Sequence, residues 1–104
     1  MSCTLIVNRG DSPLGVKLNG FDHQALGARS VWSTGWSNDA AGTNIRQVEV
    51  WWNDTLMDKN FINVDAPALV VVEVWMDTST GRVEMRWWRC EAWAPALGDD
   101  VCAA

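Results

Sequence analysis

The sequence predicts an all-β fold, a small antiparallel β-sandwich or flattened barrel of about six strands. Three observations carry this expectation. Apolar residues recur at every second position through much of the chain, the period of a strand with one buried face. No segment of ten residues shows a helical stripe. Clusters of Gly, Asn, Asp, Ser and Pro separate the alternating runs, as turns between strands do.

The elements follow in order. Residues 4–7 (Thr-Leu-Ile-Val) read as a strand, and Arg9-Gly10-Asp11-Ser12-Pro13 as a turn. Val16-Lys17-Leu18 alternates again before the turn signal Asn19-Gly20, so an N-terminal hairpin and a further reversal are expected. Residues 28–34 form a short strand, and 35–44, rich in Gly, Ser, Asn and Ala, a loop carrying Trp36. Residues 45–53, 68–76 and 82–91 read as three longer strands. Between the first two, 54–67 reads as a long connection, and Asp77 to Gly81 as a hairpin turn. The 104 residues are expected to form a single domain, with a flexible tail from about residue 95.

Composition excludes several function classes. A net charge of −5 without a basic stripe argues against nucleic-acid binding through the phosphate backbone. The longest apolar run, residues 66–72, is seven residues and far too short to span a bilayer. No signal peptide is read at the N-terminus, so a cytoplasmic or non-classically released protein is expected. Cys3, Cys90 and Cys102 form no C-x-x-C pair, which leaves no zinc or thioredoxin-type motif. The expected state is reduced thiols, with no disulfide needed for folding. His23 has no Ser/His/Asp or Cys/His arrangement around it, and no phosphate-binding Gly loop or metal cluster occurs. No cofactor and no catalysis are expected.

The informative excess is tryptophan: eight Trp against two Phe and no Tyr. So many rings with polar N–H groups cannot all be core in a domain this small, so some should mark a contact surface. Every Glu precedes a Trp by two or four residues: Glu49 and Trp51, Glu73 and Trp75, Glu84 and Trp88, Glu91 and Trp93. Even spacing puts both side chains on one face of a strand. Val50, Trp52, Val72, Val74, Met85 and Trp87 then fall on the inner faces. The outer positions are Trp51, Trp75 and Trp88 with Glu49, Glu73, Glu84 and Arg86. With residues 78–81 as the hairpin loop, Trp75 faces Glu84, Glu73 faces Arg86, Val71 faces Trp88 and Asp77 faces Arg82. A slip of one residue would set charge against the valine face.

Flat rings bordered by carboxylates and a guanidinium suit a sugar, whose apolar C–H face stacks while its hydroxyls hydrogen-bond. These seven residues are therefore the expected ligand-binding set of a non-catalytic, lectin-like protein. The alternative is a protein-interaction or self-assembling module, including an inhibitor of a host or partner protein, with the Trp face as the interface of a homo-oligomer or complex. A further alternative is a lipid-binding, membrane-active protein; small, acidic, Trp-rich composition is shared with the aegerolysins, although no motif is. Arg9-Gly10-Asp11-Ser12-Pro13 resembles the integrin-binding loop of fibronectin type III domains over those five residues, which would imply adhesion from a hairpin tip. Asn53-Asp54-Thr55 is a glycosylation sequon in a secreted chain.

Overall fold

A computed structural model describes residues 2–19, 21–34, 45–63 and 68–90. The fold is all-β, two four-stranded sheets packed face to face. The strands are β1 (Ser2–Asn8), β2 (Leu14–Leu18), β3 (Gln24–Leu26), β4 (Val31–Ser33), β5 (Ile45–Trp52), β6 (Thr55–Asn63), β7 (Ala68–Asp77) and β8 (Arg82–Cys90). One sheet has the order β4-β1-β7-β8, the other β3-β2-β5-β6. The expected loop carrying Trp36, the tail from about 95, Glu91, Trp93 and Cys102 lie outside the described residues.

The core sits between the sheets. Ile6, Val70, Val72, Val74 and Met76 pack against Val16, Leu18, Val48, Val50 and Ile62, all buried. Trp52, Met85 and Trp87 lie on this inner side and are partly buried against it, as their strand parity predicts. The first sheet also buries Cys3, Leu5, Leu69 and Val71 in a smaller cluster on its outer side. Strand β7 is thus covered on both faces along part of its length, which accounts for its unbroken valine run.

The β7–β8 hairpin has the expected register at every pair: Asp77 with Arg82, Trp75 with Glu84, Glu73 with Arg86, and Val71 with Trp88. Its turn is closed by the Gly81 amide donating to the Asp77 carbonyl (2.8 Å), with Gly81 at φ +70°. The Asp77 carboxylate accepts from the Ser79 amide (3.0 Å) and hydroxyl (2.5 Å).

Three expectations are corrected. First, β1 and β2 do not form a hairpin; they lie in different sheets, and residues 9–13 cross between them. Both flanks of β1 are already taken, by β4 antiparallel and by β7 in the fold's one described parallel pairing. Second, 54–67 is not simply a long connection, because β6 pairs with β5 along most of its length. The link is a two-residue turn, Asn53 (φ +48°) and Asp54 (φ +62°), a backbone these residue types tolerate best after Gly. With β3, this strand brings the number to eight among the described residues. Third, Cys3 is disulfide-bonded, to a partner outside the described side chains. It lies buried in an interior strand.

Candidate binding site

The seven expected site residues divide between the two sheets. Glu73, Trp75, Glu84, Arg86 and Trp88 share the outer face of β7 and β8. Trp51 and Glu49 belong to β5, in the other sheet, so they face the opposite side of the sandwich. There Glu49 is in register with Lys17 and Lys59. Trp51 makes an edge contact with His23, with ring centroids 6.2 Å apart. The His23 ring stands over Gly15, where an added Cβ would come within 2.5 Å of it. These residues, with Asn53 and Asp54, border a second cavity of about 340 Å³. The Trp51 indole N–H is buried without a hydrogen-bond partner among the described residues.

On the β7–β8 face, Glu73 is the organising residue. It is 4% exposed, although it lies on the outer side of its sheet. Arg86, directly opposite, donates from Nε to Oε1 (2.7 Å), and Arg9 donates from Nε to Oε2. Burial pushes the Glu73 carboxyl pKa up, but the bonds from Arg86 and Arg9 outweigh it, so the group sits below its ordinary value. The Arg86 guanidinium lies 5.9 Å from the Trp75 ring centroid and 5.5 Å from that of Trp88. Both are within cation–π range. Trp75 is partly buried and Trp88 is 38% exposed.

Arg9 was not among the expected site residues, because its place depends on the crossover. The Arg9 amide donates to the Val74 carbonyl (2.8 Å), which lays the 9–13 segment along the end of β7. Gly10 follows closely: a Cβ there would be 3.3 Å from the Met76 nitrogen and 3.6 Å from the Trp75 Cβ. Asn8 fixes this path. It is fully buried, and its Nδ2 lies within bonding distance of the carbonyls of Ser12 (2.9 Å), Gly27 (3.1 Å) and Leu26 (3.3 Å). Its Oδ1 accepts from the Gly10 amide (2.9 Å). The Arg-Gly-Asp-Ser-Pro segment is therefore an inter-sheet crossover rather than a hairpin tip. Its two charged residues are engaged within the molecule: Arg9 with Glu73, and Asp11 with Arg29 (2.8 Å).

Together these residues border a cavity of about 450 Å³, lined by Arg9, Asp11, Glu73, Trp75, Thr78 and Arg86 among others. It offers one indole wall, two guanidinium groups fixed from below, and a hydroxyl at the rim. Its single buried carboxylate is held ionised, the reverse of what a general acid requires. Among the described residues no group of His, Cys, Asp and Glu is arranged to hold a metal ion. Comparison with protein-family models, curated proteins and solved structures finds no match to this chain.

Proposed function

We propose that this protein is a non-catalytic binding module that recognises a saccharide on the outer face of β7 and β8. The carrying observation is the Arg86 guanidinium held by Glu73 and set against both Trp75 and Trp88. Fixing these groups before a ligand arrives reduces the ordering cost of binding. The cavity beside them has room for one or two sugar rings, with Trp75 as the stacking wall. Trp51 and Glu49 are left out of this site.

The test is a glycan array followed by titration of intrinsic tryptophan fluorescence with the saccharides that score. Trp75→Ala is expected to weaken binding by about 10- to 100-fold, the worth of one buried ring. It should leave a folded protein, because Trp75 is not in the inter-sheet core. If no saccharide binds and Trp75→Ala instead shifts the protein toward a smaller mass in solution, the face is an assembly interface and the proposal fails.

A further inference from the structure

We infer that the saccharide is acidic: a carboxylate on one edge is taken by Arg9 and Arg86 while the sugar ring lies on Trp75. This rests on the saccharide reading above and narrows it. The charges around the cavity favour an anion. Two guanidiniums share the one carboxylate of Glu73, which leaves one positive charge in excess at the cavity wall. Asp11 on the rim does not cancel it, because Asp11 is paired with Arg29 through Nε (2.9 Å) and Nη2 (2.8 Å). Glu84 lies across from Trp75 on β8 and does not line the cavity.

The available donors point the same way. Each of the two arginines gives Nε to Glu73, and neither guanidinium makes a further hydrogen bond among the described residues. Their side chains are 59% and 67% exposed, so the Nη groups remain for a ligand. Glu73 is 5% exposed at its side chain and engaged through both oxygens, so it has little left to accept from sugar hydroxyls. The polar character of the wall is thus mainly that of a donor. A planar carboxylate matches the guanidinium fork in geometry and charge, which a neutral hydroxyl does not. The net charge of −5 acts at longer range and is screened within about 8 Å at physiological salt.

The experiment uses oligosaccharides containing glucuronate, galacturonate or sialate, each paired with the same molecule carboxyl-reduced to the alcohol. Binding to the unsubstituted protein is measured by calorimetry. At least one acidic member is expected to bind at least tenfold tighter than its reduced partner. Arg9→Gln and Arg86→Gln should erase that difference, and Arg9→Lys should restore part of it. Reduced forms binding as well as acidic ones, or better, would overturn the inference and leave the saccharide reading standing. No binding by either member of any pair, with no neutral glycan scoring on the array, would overturn both. The comparison within the unsubstituted protein decides the matter even if an arginine variant folds poorly.

Discussion

Asn8 and Glu73 are the two buried side chains on which the site depends, and each has a measurable cost of removal. Asn8→Ala leaves the carbonyls of Ser12, Leu26 and Gly27 and the Gly10 amide without this partner. A loss of about 2–3 kcal/mol is expected, read as a lower urea midpoint with an unchanged slope. The 9–13 crossover should loosen, taking Arg9 away from Glu73. Glu73 couples the site to pH. Its folded pKa lies below the unfolded one, so its stabilising contribution is complete above the unfolded value and is lost as pH falls through the folded value. Asp77, held low by its bonds from Ser79 and Thr80, acts in the same direction. Stability should therefore fall below about pH 5, and Glu73→Gln should flatten that slope in chemical denaturation at stepped pH. At neutral pH the same variant should lose about 1–2 kcal/mol; the arginine heads it leaves are exposed, so water takes over much of the role.

At the scale of elements, the β7–β8 hairpin was legible because local signals agreed. Alternation, a Gly-ended turn and opposite charges at Glu73–Arg86 and Asp77–Arg82 select one register. Val74→Asp puts an unpartnered charge between the sheets and should cost several kcal/mol, read as a lost or lowered cooperative thermal unfolding transition. Strand β6 was not legible because it carries Asp58, Lys59 and Asn60 in sequence, as edge strands do. The usable signal was the Asn53-Asp54 pair directly between Trp52 and Thr55. Both residues have positive φ, so Asp54→Gly should stabilise the fold by up to about 1 kcal/mol and raise the melting temperature, and Asp54→Val should lower it. No change in either variant would mean the turn is not of this type.

For the whole molecule, strand parity shows which side chains share a face but not which strands share a sheet. Trp51 and Trp75 follow the same Glu-x-Trp pattern, yet they stand on opposite sides of the sandwich. Arg9, nowhere near β7 in sequence, completes the site through the parallel β1–β7 pairing. Such long-range pairing depends on the chain's global path and leaves no local periodicity. The disulfide is equally non-local. Cys3 and Cys90 both align with Leu69, on opposite sides of it, so their Cα atoms are about 10 Å apart, beyond direct bridging. A non-reduced peptide map after cleavage at Glu91, which separates Cys90 from Cys102, should join Cys3 to a peptide other than the one carrying Cys90, and dithiothreitol should lower the melting temperature.

On the proposed reading the β7–β8 face, and not the pattern-matched Trp51 on the other sheet, receives the ligand. The indole N–H signals of a proton–nitrogen correlation spectrum, assigned by single Trp→Phe substitutions, test this most directly. Titration with the tightest-binding acidic oligosaccharide is expected to move the Trp75 and Trp88 signals and the Arg9 and Arg86 Nε–H signals, while Trp51 and the inner Trp52 and Trp87 stay in place. Saturable shifts at Trp51 and His23 with Trp75 and Trp88 unmoved would contradict it.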